Sequence, residues 1–314
     1  MGFILLDHLP TGFQEKYLPL VYNSKSFLTS NNELPQVHFY WIEKNEQVAY
    51  AHVAFSLEES EVSSPLKAPF GGVEYTDELK SADLCTFLIF VEKELKKKGA
   101  KYINISQPPE NHGNQNALNE VLNDLKYKVK SKRIFHGVPI TEKDFASKMS
   151  VMEQRRLKKC IKAGFEFKSI PSTKLSEVYN AIATWRNLTQ KPLSMDWKVL
   201  NHARKSNPNM YIPFGVYDDD KLIAATIAIR VNPKVIYHFY PAHCPEYNNY
   251  SPMVMLVEGL YNWCQTHQID LLDLGTSYLN NKMNQSLVRF KKHLGGEESK
   301  ALIFRKVLPL RQIK

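Results

Sequence analysis

Apolar and polar positions recur in one order along the chain. Val37 to Ile42, the polar turn Glu43-Lys44-Asn45-Glu46 and Val48 to Phe55 predict a β-hairpin, and Ile212 to Tyr217, Asp218-Asp219-Asp220-Lys221 and Leu222 to Val231 predict a second. Each is followed by a loop and an apolar helix, marked by Leu84, Phe87, Leu88, Val91 and Leu95 in one half and by Met253, Leu256, Val257, Leu260 and Cys264 in the other. Both sets step by 3, 1, 3 and 4 residues, which is helical spacing. The two sets stand 169 residues apart (253 − 84), and the offset continues through the strands Tyr102-Ile103-Asn104-Ile105 and Leu271-Leu272-Asp273-Leu274. It reaches the pairs Leu125 and Leu294, Ile134 and Ile303, and Val138 and Val307. A register unbroken over helix, strand, helix and terminal strand predicts two copies of one α/β domain with a mixed sheet.

The expected division is 1–145 and 146–314, joined in the polar stretch between Pro139 and a basic helix containing Arg155, Arg156, Lys158, Lys159 and Lys162, which Gly164 ends. A second helical region from about Thr173 to Arg204 is expected to break at Pro192.

Composition narrows the class. A chain of 314 residues exceeds a typical single domain, which supports two cores, and 43% hydrophobic with 23% charged residues is a globular balance. No run approaches the roughly 18 apolar residues of a membrane span, so a soluble protein is expected. The first residues carry a short apolar run broken by Asp7 and no basic leader, against a secretory signal, and Leu6 stands where a myristoylated Gly2 would want Ser or Thr. Cys85, Cys160, Cys244 and Cys264 lie far apart, without zinc or disulfide spacing, which fits a reduced cytoplasm. A net charge of +9 suits polyanionic partners such as phosphorylated cofactors or RNA, and equally an ordinary solubility state. No DNA partner is expected.

Several segments carry chemistry. In Tyr250-Ser251-Pro252-Met253, Ser251 reads as a helix N-cap with Pro252 in the first turn, which either simply starts a helix or offers backbone N–H groups to a phosphate or oxyanion. Asp273, followed by Gly275-Thr276-Ser277-Tyr278, ends a buried strand; Asp273 or Tyr278 suits an amine proton acceptor, and Asp273 equally suits a bond to backbone amides. Tyr240 ends the predicted strand Ile236 to Tyr240, where alternation puts it on one face with His238. Lys67 and the turn Pro69-Phe70-Gly71-Gly72 suit an acceptor site, since glycines let a ligand approach the backbone; a tight turn explains them as well. The Arg155–Lys162 cluster is either a grip on phosphates or a solvated helix face. His238, His243 and Cys244 lack metal-ligand spacing, so no metal is expected, and no Gly-x-Ser-x-Gly elbow, Walker loop or dinucleotide fingerprint is present.

The order of elements, with Arg155-Arg156-Leu157-Lys158-Lys159-Cys160-Ile161-Lys162-Ala163-Gly164, Leu222-Ile223-Ala224-Ala225, Tyr250-Ser251-Pro252-Met253, Leu271-Leu272-Asp273-Leu274-Gly275 and Phe290-Lys291-Lys292-His293-Leu294-Gly295-Gly296, resembles the FemAB-like branch of the GNAT superfamily of acyltransferases. The resemblance covers roughly residues 150–306. It implies two tandem GNAT-like domains in a bacterial-type enzyme that moves an acyl group from an acyl-CoA-type donor to an amine of a small molecule or peptide, with no permanently bound cofactor. It places Lys291 beside the reacting carbonyl or the donor phosphates. Tyr250, Ser251, Met253, Ser277 and Phe290 would line the donor, Asp273, Tyr278 and Tyr240 would serve the proton transfer, and Lys67, Phe70, Gly71 and Gly72 would face the acceptor.

Two departures keep other readings open. No helical hairpin arm interrupts the second half, as it does in some Fem ligases that use aminoacyl-tRNA on a cell-wall precursor, and the Gln/Arg-x-x-Gly-x-Gly/Ala pyrophosphate loop is absent before Ser251. A non-catalytic binding module on the same fold is the third reading.

Overall fold

The computed structural model describes residues 2–6, 12–31, 34–191, 193–279 and 282–309. The chain divides into two compact units, one of Met1–Arg133 with Lys300–Lys314 and one of Ile134–Ser299.

The first unit contains strands β1 (Gly2–Leu6), β2 (Gln36–Glu43), β3 (Val48–Glu58), β4 (Glu61–Ser64) and β5 (Val73–Tyr75), helix α1 (Ser81–Lys97), β6 (Tyr102–Ser106), α2 (Asn116–Asp124) and the exposed start of β7 (Lys128–Pro139). The second contains the rest of β7, α3 (Val151–Lys162), β8 (Glu166–Ser169), α4 (Leu175–Leu188), α5 (Trp197–Ser206), β9 (Tyr211–Asp218), β10 (Lys221–Asn232), β11 (Val235–His238), α6 (Pro252–Thr266), β12 (Leu271–Thr276) and α7 (Gln285–His293). The final strand β13 (Glu297–Val307) returns to the first unit at Lys300. The break between α4 and α5 falls around Pro192, which lies outside the described residues.

The repeat is visible in these bounds. Helices α2 and α7 stand 169 residues apart at their first residues (285 − 116) and at their last (293 − 124). Each unit has a parallel strand pair joined by a crossover helix, β4 with β6 through α1 and β11 with β12 through α6, and in the first unit Gln14–Glu15 also pairs parallel with β3. Both helices bury their apolar positions against the sheet, Leu84, Phe87, Leu88, Val91 and Leu95 in α1 and Leu256, Val257, Leu260 and Cys264 in α6.

The domain limits differ from the expected 145/146. In sequence, β7 closes the first repeat and β13 the second. In space each completes the other unit: β13 pairs with β6 (Phe304 opposite Ile105) and puts Phe304 and Leu308 into the first core, while β7 pairs with β12 (Val138 opposite Leu272) and puts Val138 into the second. The chain therefore changes unit inside a strand rather than in the polar stretch beyond it.

The first unit also buries a polar chain on the sheet face away from α1. The backbone N–H of Leu20 donates to Glu74, whose other oxygen lies 2.5 Å from His52 Nδ1, and His52 Nε2 lies 3.1 Å from His38 Nδ1. The ring of Tyr40 stacks on His52 at 4.4 Å. Burial pushes the Glu74 carboxyl up to about 8 and His52 down to about 3, so the neutral forms are favoured. Truncation in Glu74→Ala leaves two buried groups, the Leu20 N–H and His52 Nδ1, without their partner at about 1–3 kcal/mol each. Urea unfolding of that variant is expected to show a loss of about 2–6 kcal/mol in the first unit.

Candidate functional site

In the second unit β11 and β12 pair in parallel only as far as Tyr237 and Asp273; β11 then ends at His238 and β12 bends away. The bend is a bulge. Asp273 stands opposite Gly137 of β7, whereas Thr276 stands opposite Phe135, so β12 carries one extra residue over that interval. Gly275 accommodates it with φ +73, and an added Cβ there would lie 2.7 Å from the Tyr237 ring. Asp273 is buried and its Oδ1 accepts the Gly275 N–H at 2.6 Å, which fixes the turn.

Into this bulge comes Lys291 of α7. Asn284 caps that helix by accepting the Leu287 N–H, and its own N–H donates to the Ser277 carbonyl at 2.7 Å, tying the helix start to the strand end. The amphipathic helix then turns Lys291 inward, where it is only 6% exposed. Lys291 Nζ donates to the carbonyls of Gly275 (2.8 Å) and Thr276 (2.6 Å), and its third hydrogen has no partner among the described residues. Burial lowers its pKa to about 8, against the partial support of Asp273.

His136 and His238 feel this ammonium, and further buried polar atoms lie in the same unit. Both ring nitrogens of His136, Nε2 of His238, Oγ1 of Thr226 and Oγ of Ser277 have no hydrogen-bond partner among the described residues. His136 follows Phe135 in β7, His238 ends β11 and Thr226 lies in β10. Alternation puts these three on the sheet face of Val138, Ile236, Ala224 and Ala228, the face that packs against α6. Burial and the Lys291 charge push His238 down to about 3 and lower His136, so both imidazoles are neutral. Unsatisfied buried polar groups cost about 1–3 kcal/mol each, and a group of them beside one buried cation marks a place for ligand or water atoms. The one hint in the sequence is a histidine inside an otherwise apolar strand.

Helix α6 begins at the same end of the sheet. Ser251 is its N-cap through the backbone, in a left-handed conformation (φ 60, ψ 52), with no side-chain cap, unlike the expected serine cap; Pro252 opens the helix. Pro252 has no N–H and the Val254 N–H donates to the Ser251 carbonyl at 3.0 Å, which leaves the Met253 N–H as the donor of that first turn at the positive end of the helix dipole. Met253 and Phe290 are half-buried against the core.

The other sequence-derived residues lie as follows. Tyr250 turns toward α3: its ring sits beneath Lys159 Nζ (4.9 Å) and its carbonyl accepts from Cys160 Sγ (3.2 Å). Tyr240 lies beyond the end of β11 rather than within it, and its hydroxyl is occupied by Ser194 Oγ (2.5 Å) and the Met195 N–H (3.0 Å). Its phenol is held above the usual range by burial. Tyr278 is 36% exposed at the rim.

In the first unit Lys67 is exposed, but the space at the glycines is taken by the protein itself. An added Cβ would meet Pro65 Cδ at 2.2 Å from Gly71 and Gln107 Oε1 at 2.6 Å from Gly72, and Phe70 is buried between Tyr22 and His112. Those glycines sit against the chain's own Pro65 and Gln107 side chains, in keeping with the tight-turn reading of this segment. No helix among the described residues is long and apolar enough to cross a membrane.

Comparisons with known proteins agree with this geometry. Residues 154–291 match the family model of the acetyltransferase (GNAT) domain, a span that holds the strand splay, α6 and Lys291. Among solved structures, FemX superposes with a TM-score of 0.72 at 12% identity, covering 93% of this chain and 94% of its own. L-PGS from Bacillus licheniformis gives 0.58 at 11% identity over 91% and 88%, and a conserved protein of unknown function from Bacteroides thetaiotaomicron gives 0.59 at 12% over 93% and 94%. A sequence search of curated proteins finds no match.

Proposed function

We propose that this chain, whose residues 154–291 match the acetyltransferase (GNAT) domain and whose fold is that of FemX, is an acyltransferase whose second unit transfers an acyl group from an acyl-CoA-type thioester to an amine of a small molecule or peptide. The observation that carries the reading is Lys291: a buried ammonium with two hydrogens fixed on Gly275 and Thr276 carbonyls and the third left for a substrate oxygen. When the amine nitrogen attacks, negative charge gathers on the acyl oxygen, and a preorganised cation in a dry site stabilises it without reorganising. The α6 first turn takes the donor phosphate. Asp273 acts as a positioning residue through Gly275, and the amine proton leaves toward water at the rim, where Tyr278 stands. The cytoplasm is the compartment where such donors are plentiful.

Thermal shift with acyl-CoAs of several chain lengths and with tRNA, each at low and moderate salt, tests the donor class, because a ligand stabilises the state it binds. Stabilisation by an acyl-CoA that survives moderate salt supports the thioester reading; a response to tRNA alone replaces it with aminoacyl transfer. The charge on Lys291 also sets a pH dependence. Deprotonation removes the hydrogen bond to the developing oxyanion, so donor kcat/KM, which reports the free enzyme, is expected to fall as pH rises through about 8.

A further inference from the structure

Helix α3 is unused by the chemistry above, yet it joins the two helices that build the site. At its N-terminal end the Ser150 N–H donates to the last-turn carbonyl of α7, His293 O, at 2.8 Å. Near its C-terminal end Lys159 Nζ donates to Asn249 O at 2.6 Å, and Cys160 Sγ bonds Tyr250 O, both just before α6. Buried Glu153, Leu157 and Cys160 fix its inner face.

The outer face is then set. Arg155, Lys158 and Lys162, at steps of three and four, are all exposed and make no ion pair among the described residues. They extend over about 10 Å of helix at 1.5 Å per residue. Beside them stand three exposed aliphatic side chains, Val151 (63% exposed), Met152 (44%) and Ile161 (60%).

Resting on the proposed thioester chemistry, we propose that α3 docks a small acidic carrier protein that presents the acyl group as a thioester on a phosphopantetheine arm. Three features favour this occupant. The unpaired cations complement an acidic surface. The aliphatic side chains flanking that row give a protein partner apolar contact, which a row of RNA phosphates cannot use. The segment Phe239 to Tyr250 contains no glycine to let backbone wrap a pyrophosphate, while the single α6 first turn matches the single phosphate of such an arm. In the transfer the acceptor nitrogen bonds the thioester carbon, the carbon–sulfur bond breaks, and the arm's thiol leaves with the proton the amine gives up.

The test uses acetylated holo acyl carrier protein as the probe, with its binding to the full chain followed by fluorescence anisotropy beside acetyl-CoA and bulk tRNA. Wild type is expected to bind the carrier with an affinity that falls with salt. The triple variant Arg155→Glu, Lys158→Glu, Lys162→Glu is expected to lose tenfold or more of that affinity, with acetyl-CoA binding and thermal unfolding unchanged. Absence of carrier binding, equal loss of acetyl-CoA binding, or loss of tRNA binding in its place overturns the assignment. Failure of the underlying chemistry reads separately, since it would appear as acyl transfer insensitive to Lys291→Met.

Discussion

Replacing Lys291 by Met is expected to lower the acyl-transfer rate by about 10²–10³-fold, the usual cost of removing one oxyanion donor, while changing stability at pH 7 by no more than about 3 kcal/mol. The two halves of that result have one cause. The Lys291 ammonium is buried, and burial lowers its folded pKa to about 8 from an ordinary 10.5. A lysine with a depressed folded pKa costs stability in full below the folded value, and the cost fades as pH rises toward the unfolded one. The depression amounts to about 3 kcal/mol below pH 8. Methionine keeps the volume and removes this charge, at the price of leaving the Gly275 and Thr276 carbonyls without their donor, about 1–3 kcal/mol each. Wild type should gain stability between pH 8 and 10.5 and the variant should not. Thermal unfolding across that range, beside single-turnover transfer rates, checks both. A folded variant that keeps the wild-type transfer rate would mean that Lys291 is structural.

The second large effect lies in packing. Gly259 sits on the buried face of α6, where an added Cβ would fall 2.1 Å from Cγ of Phe167 on β8, and both flanking elements are fixed, α6 by the core and β8 by its ladder with β9. Alanine gains about 1 kcal/mol of helix propensity over glycine but forces a ring and a helix apart in a close-packed interior. Gly259→Ala is expected to lose about 2 kcal/mol net, the upper part of the overpacking range less the propensity gain. It should unfold the second unit first, lowering donor binding while the first unit keeps its Glu74–His52 chain. Denaturant unfolding followed by hydrogen exchange in each unit measures this.

What was legible in the sequence was local. Hairpins with charged turns, helices at spacing 3, 1, 3, 4 and the 169-residue offset depend on short-range pattern, and each lies in the structure within a few residues of its expected place. Partner choice was not legible. An apolar alternating strand such as Ile134 to Val138 states that it will be buried, not which sheet will bury it, so the exchange of terminal strands between the repeats moved the unit boundary into β7. Side-chain occupancy was hidden for the same reason. Tyr240 meets Ser194 and Met195 from more than 40 positions away, and Gly71 meets Asn23. The orphan nitrogens of His136 and His238 become informative only once their surroundings show that nothing satisfies them.

Donor placement is the central claim, and backbone hydrogen exchange of the full chain with and without a stabilising acyl donor tests it most directly. The account predicts added protection at residues 237–240, 252–255, 275–277 and 285–291, the splay, the α6 first turn and the Lys291 helix. Protection confined to the first unit, with these segments unchanged, would contradict it.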